Sequence, residues 1–214
     1  MIFRCLSFLL ALSLFSCGSS NDGNMPPITV DITNVENRYG DLPDNYIVDA
    51  YIISGTLVNL KSHQFGTVPF NEERMAFELK TPPRSMLRSV NEEFSTDGVT
   101  VSDTKARWSG EVLFHVYSGE SPHLSLISGY LRYCTNSWDD DAFWTTENAF
   151  IYYCYVDRDV TISGSLVSGL MEFDLKFSKG WNRYAFYKFR EDGEGSEMKI
   201  KYSSVLPSGV RWRL

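Results

Sequence analysis

The chain reads as an all-β protein, a β-sandwich or two sandwich subdomains in series, on three observations. Apolar and polar residues alternate one for one in most of its periodic segments, the mark of strands that bury a single face. Ser-Gly pairs begin at Ser54, Ser109, Ser118, Ser128, Ser163, Ser168 and Ser208, and Asp-Gly pairs at Asp97 and Asp192. Such pairs punctuate short strands because they tolerate open or left-handed backbone. No window of comparable length holds the 3.6-residue period of a helix. Roughly a dozen short strands follow, and a closed lipocalin-like barrel is the alternative way to arrange them. The spacing of the pairs is irregular, so no tandem repeat is read.

In chain order, the first element is an address. Arg4 is the only charge before Asp22, and Cys5 to Phe15 is apolar apart from Ser7 and Ser13, the layout of a secretory signal. At about 11 residues the run is too short to cross a hydrocarbon core, which takes about 20. Leu14-Phe15-Ser16-Cys17 then resembles the lipobox of bacterial lipoproteins. That resemblance implies a signal peptide over 1–16, cleavage after Ser16, diacylglycerol on the Cys17 sulfur and a further acyl chain (palmitate or similar) on its amine. Two or three chains make a stable anchor where one is marginal. Gly18 stands where an aspartate would favour inner-membrane retention, so outer-membrane localisation is expected. Residues 17–27 form the lipidated, flexible tether. Its stretch GSSNDGNMPP spans about 18 Å as a coil and about 35 Å fully extended.

The folded domain is expected over 28–214. Ile28, Val30 and Ile32 alternate in ITVDI. KTPPRSMLRSVNEE, Lys80 to Glu93, breaks the alternation at Pro82 and Pro83. It reads as a short helix or a crossing between two halves, with any subdivision falling near 80–95. EVLFHVY and AFIYYCYV are apolar on both faces, which suits strands covered on both sides. Val160, Ile162 and Leu166 mark VTISGSL. In MEFDLKFS, Met171, Phe173, Leu175 and Phe177 oppose Glu172, Asp174, Lys176 and Ser178. Met198, Ile200 and Tyr202 oppose Lys199 and Lys201. Between two of these strands, Lys179-Gly180-Trp181-Asn182 reads as a tight turn, its indole folded over the core and the Asn182 side chain capping it.

Cys134 and Cys154 are the cysteines left after the signal and Cys17. Both lie in strand-like contexts, and export would let a disulfide persist. A bridge would close a loop of about 21 residues, worth about 3 kcal/mol. Two buried thiols acting as small apolar residues are the other reading.

FELKTPPRSML, YVDRDVTISG and FDLKFSKGWN, taken in that order, resemble a group of uncharacterised bacterial surface lipoproteins. The Lys179–Asn182 corner is the most specific part of the likeness. The resemblance implies an exported all-β domain and brings no activity with it.

Composition narrows the partners. Removal of residues 1–16 takes away Arg4 and leaves 19 cationic against 27 acidic groups, a net charge near −8. Such a surface repels nucleic acid and anionic lipid rather than seeking them. At 43% hydrophobic and 14% aromatic the chain holds ample material for a core.

The densest candidate site is SWDDDAFWTTEN. There Trp138 and Trp144 offer flat faces to sugar rings, and Asp139 and Asp141 accept hydrogen bonds from hydroxyls. As a calcium site the run is poor, because three consecutive aspartates, Asp139, Asp140 and Asp141, diverge. His63, His115 and His123 lack metal spacing, and no nucleophile elbow, zinc-protease motif, phosphate loop or C-x-x-C occurs. No catalytic residue, metal or cofactor is therefore assigned. The expectation is a lipid-anchored envelope protein acting as a binding or accessory module, with a glycan or envelope protein as partner. An adhesin or fimbria-type assembly subunit is the alternative, and a carbohydrate-active enzyme the third class.

Overall fold

A computed structural model of the chain describes residues 25–56, 59–119, 129–135, 147–166, 169–190 and 197–214, and strand dominates them. The protein is all-β. Strands are numbered along the chain. β1 (Ile28–Thr33) and β4 (Arg74–Leu79) form a two-stranded antiparallel ribbon, with Ile28 opposite Leu79 and Thr33 opposite Arg74. A four-stranded sheet runs in the order β3 (Asn59–Pro69), β2 (Tyr46–Thr56), β8 (Leu113–Ser118), β9 (Gly129–Tyr130).

The largest sheet runs β16 (Arg211–Arg213), β10 (Arg132–Cys134), β11 (Asn148–Val156), β14 (Gly180–Phe189), β15 (Lys199–Ser203), β13 (Met171–Phe177), β12 (Val160–Leu166), β6 (Val99–Val101). Beside it, β7 (Arg107–Glu111) pairs with β11 and with β5 (Arg88–Ser89). Among the described residues, the pairings between these strands are antiparallel except β13 with β15. Sheet curvature produces a half-barrel, and no pairing joins β16 to β6 among the described residues.

Two apolar cores flank this sheet. Val30, Ile32, Val48, Ile52, Phe77, Phe114 and Trp212 belong to the first, while Val90, Phe94, Trp108, Cys154, Val156, Ile162 and Leu175 belong to the second. Alternation along β11 explains how one strand serves both: Tyr153 packs on the first core and Cys154 lies in the second. As its two-sided apolarity implies, β11 is buried over most of its length.

Lys80 to Glu93 crosses from one core to the other. Met86, in a 3-10 turn (Arg84–Met86), belongs to the first, and Val90 and Phe94, in helix α1 (Val90–Phe94), belong to the second. The Ser89 hydroxyl caps α1 by accepting from the Glu92 backbone N–H at 3.2 Å.

Three expectations are corrected. β8 is buried on one face only: Phe114 and Val116 point into the core, whereas Leu113, His115 and Tyr117 are half-exposed. The open face is tolerable because its polar atoms are used, Tyr117 donating to Asp49 Oδ2 at 2.6 Å.

Second, Ser54-Gly55, Ser109-Gly110 and Ser163-Gly164 lie inside strands rather than between them. Gly164 is the clearest case, with φ +129 and a position where an added Cβ would fall 2.0 Å from the Gly98 carbonyl oxygen. Here glycine serves a close backbone crossing rather than a turn.

Third, Cys134 and Cys154 are not bridged. Cys134 stands opposite Phe150, four residues from Cys154 along β11 and so about 13 Å away at strand rise, beyond the reach of a disulfide. Both thiols are buried.

Candidate functional site

A cleft of about 740 Å³ opens where four segments distant in sequence converge. Each owes its place to local chemistry. β4 ends at Leu79 because Pro82 and Pro83 cannot continue a strand pairing. Pro83 adopts an extended conformation, φ −58 and ψ 142, so Lys80 to Arg84 forms a stiff wall.

The second wall is the end of β11, from Tyr155 to Arg158. Asp157 Oδ1 accepts from the Arg107 backbone N–H at 2.8 Å and from Arg158 Nε at 3.3 Å, and Asp103 lies 3.7 Å from Arg158 Nη1. The Arg158 guanidinium is thus held in place.

The third wall is the Lys179–Asn182 corner joining β13 to β14. Asn182 Oδ1 accepts from the Ser178 N–H at 3.0 Å, and its Nδ2 donates to the carbonyls of Ser178 and Gly180 at 2.7 and 2.9 Å. Gly180 has φ +108, which favours glycine. The Lys179 N–H donates to Asp159 Oδ1 at 2.7 Å, tying this corner to the second wall. The side-chain cap expected of Asn182 is therefore present.

The fourth wall is β3, contributing His63, Gln64 and Phe65. Because β3 is the edge of its sheet, three consecutive residues can meet the cleft. Trp181 links the walls from behind, its ring edge-on to Phe65 at 5.5 Å and to Tyr155 at 5.6 Å. It packs against the first core as a half-buried residue, and its Nε1 has no hydrogen-bond partner among the described residues.

The electrostatics of this cleft oppose those of the chain. Lys80, Arg84, Arg158 and Lys179 line it against a single carboxylate among the described residues, Asp157, in a protein of net charge −7. Arg84 and Lys179 have no ion-pair partner among the described residues, and Lys80 lies 3.9 Å from Glu78 in an exposed contact worth little. Burial pushes the His63 imidazole below its ordinary value, which leaves it neutral at pH 7. A polar, cationic rim over aromatic walls suits an anionic or hydroxyl-rich ligand.

A second cavity, about 580 Å³, is lined by Asp31, Glu36, Arg183 and Arg211, of which Glu36 pairs with Arg211 and Asp31 with Arg74 from outside the cavity. A third, about 290 Å³, is a mainly apolar and aromatic gap between β8 and β11.

Of the residues singled out from sequence, Trp138, Asp139, Asp140, Asp141 and Trp144 lie outside the described residues, as do Cys17 and His123. His115 sits on the outer face of β8 between Tyr117 and Tyr130, each ring at 5.0 Å. Among the described residues no group of three metal-ligating side chains converges. Sequence reasoning missed Lys80, Arg84, Arg158 and Lys179 as a set. Their signal was present, since FELKTPPRSML, YVDRDVTISG and FDLKFSKGWN each supply a wall of this one cleft. Compared with known proteins, the chain matches no family model, no curated protein and no solved structure.

Proposed function

We propose that this is a lipid-anchored protein of the cell envelope, held in the outer membrane through acyl chains on Cys17, whose folded domain is a binding module. Its ligand, an envelope glycan or a molecule carrying one, occupies the cleft between Lys80, Arg84, Tyr155 and Lys179. The observation that carries this reading is the cleft itself: about 740 Å³, cationic at its rim, aromatic at its walls and fixed by side-chain-capped turns. Aromatic faces receive sugar rings and the polar rim receives hydroxyls and acidic substituents.

The assembly alternative has one feature in its favour, an 11-residue edge strand, β3, with Lys61 as its only formal charge. Three devices blunt that edge: Lys61 itself, the register break opposite Ala50 and Tyr51, and Pro69 at its end. A carbohydrate-active enzyme needs two facing carboxylates, and among the described residues Asp157 is the one carboxylate lining the cleft.

Two measurements test the proposal. Cells fed labelled palmitate should label the wild-type chain and not Cys17→Ser, which should leave the membrane fraction. On an array of envelope oligosaccharides, the purified protein should bind a subset and lose it on Lys80→Ala with Arg84→Ala. Binding that ignores both substitutions, or concentration-dependent multimers in its place, would shift the assignment to assembly.

A further inference from the structure

The tether does not leave the fold at a neutral point. Thr81, which lines the cleft, donates its hydroxyl to the Met25 carbonyl at 3.2 Å. The Met25 side chain lies against Gly180, where an added Cβ would meet Met25 Cε at 3.0 Å. Met25 therefore lodges between two walls of the cleft, beside Lys179. It lies only eight positions after Cys17, about 28 Å at full extension and about 16 Å as a coil. If Cys17 carries lipid, the cleft hangs within that distance of the headgroups.

We infer that the cleft is a phosphate-binding site, and that its position at the root of the tether presents it to the phosphate-rich surface of the membrane. Two independent observations meet here. The first is charge: in a chain of net charge −7, four cationic side chains from three separate turns surround one opening, and Arg84 and Lys179 hold no ion-pair partner among the described residues. The second is the docking of the tether at Thr81 and Gly180.

An Arg fork and Lys ammonium groups arriving from different directions match the tetrahedrally disposed non-bridging oxygens of a phosphate, three in a monoester and two in a diester, better than the two coplanar oxygens of a carboxylate. Arg158, fixed by Asp157 and Asp103, supplies a preorganised donor, so less freedom is lost on binding. The ligand class is a phosphate monoester or diester, borne by a lipid headgroup or by a soluble sugar phosphate. The membrane-facing part of this inference rests on the lipid-anchored reading above, while the phosphate site does not.

The test uses the full chain carrying Cys17→Ser, so that acyl chains contribute nothing. Glycerol 3-phosphate is titrated by calorimetry with glycerol and glucuronate as controls. In parallel, co-sedimentation is measured with phosphatidylcholine vesicles, with and without phosphatidylglycerol. Binding to glycerol 3-phosphate and not to glycerol, weakened about tenfold or more by Arg84→Gln with Lys179→Gln, is the expected result. Both residues are exposed, so the double variant should keep the parent's melting temperature.

Binding of the soluble ester alone assigns the site to a sugar phosphate, and binding only to vesicles containing phosphatidylglycerol assigns it to a headgroup. Either supports the phosphate site. Absence of binding in both arms, glucuronate binding as tightly as the phosphate, or a double variant that binds like the parent would overturn it. Palmitate labelling of the wild-type chain separates the two claims: a labelled Cys17 with no phosphate binding sinks the site alone, and phosphate binding with an unlabelled Cys17 sinks the anchor alone.

Discussion

Trp181 joins the Phe65 and Tyr155 walls of the cleft by ring-edge contacts while its Nε1 has no hydrogen-bond partner among the described residues. Because it is half-buried, Trp181→Ala should lower stability by about 2 to 3 kcal/mol, short of the full cost of deleting a buried aromatic. Trp181→Phe keeps a ring in place and removes the unpartnered donor, so its melting temperature should stay closer to the parent's. Equal loss for both variants would point to the indole nitrogen rather than to packing.

Burial pushes the Cys134 thiol up to about 11 and the Cys154 thiol well above its usual value. Neither should react with a thiol reagent in the folded protein at pH 8, and both should react after denaturation. Non-reducing mass spectrometry that finds a bridged species would contradict the register of β10 against β11.

Glu36 adds a pH-dependent contact. Hydrogen bonding from Arg211, together with the charge of Arg213, holds its carboxyl below the ordinary value of 4.5. A depressed carboxyl stabilises the fold above its unfolded value and loses that contribution as pH falls through the folded one. In thermal melts across pH, Glu36→Gln should therefore be less stable than the parent at pH 7, with the gap closing below about pH 4.5.

At the scale of elements, glycine positions decide how β12 and β6 meet. Gly98 has φ +89 and an added Cβ would fall 2.4 Å from the Ser165 carbonyl oxygen, while Gly164 faces the Gly98 carbonyl in turn. The two backbones touch, and no side chain fits between them. Gly164→Ala should cost about 3 kcal/mol or more, through strain at positive φ together with the clash. Urea denaturation reads the loss, and a midpoint within error of the parent's would mean that β6 can move aside.

The Ser-Gly pairs were legible as special backbone, yet their role was not. A dipeptide reports that its backbone is permissive, whereas a close crossing depends on a partner strand some 60 residues away. β8 shows the same limit, since its apolar residues suit two covered faces and only the sheet order leaves His115 and Tyr117 at the surface.

Across the whole molecule, local periodicity carried the all-β class, the two-sided burial of β11, the alternation of β13 and the Asn182-capped corner, because strand faces and turn caps depend on residues within a few positions of one another. The crossing between Lys80 and Glu93 was readable for a related reason, as two prolines stop a strand wherever they occur. Three outcomes belonged to tertiary structure alone. The pairing register holds Cys134 and Cys154 about 13 Å apart, the parallel pair of β13 with β15 departs from sandwich habit, and the cationic cleft draws on positions 80, 84, 158 and 179. Charge along the chain is dominated by its acidic excess, and a local cluster of opposite sign forms only when turns from separate strands are packed side by side. The sequence by itself determined the all-β class, the alternating strands such as β13 and the Asn182-capped corner. Folding decided which turns share a wall, because that depends on long-range pairing and on two cores formed on opposite faces of one sheet, neither of which is encoded in any single window.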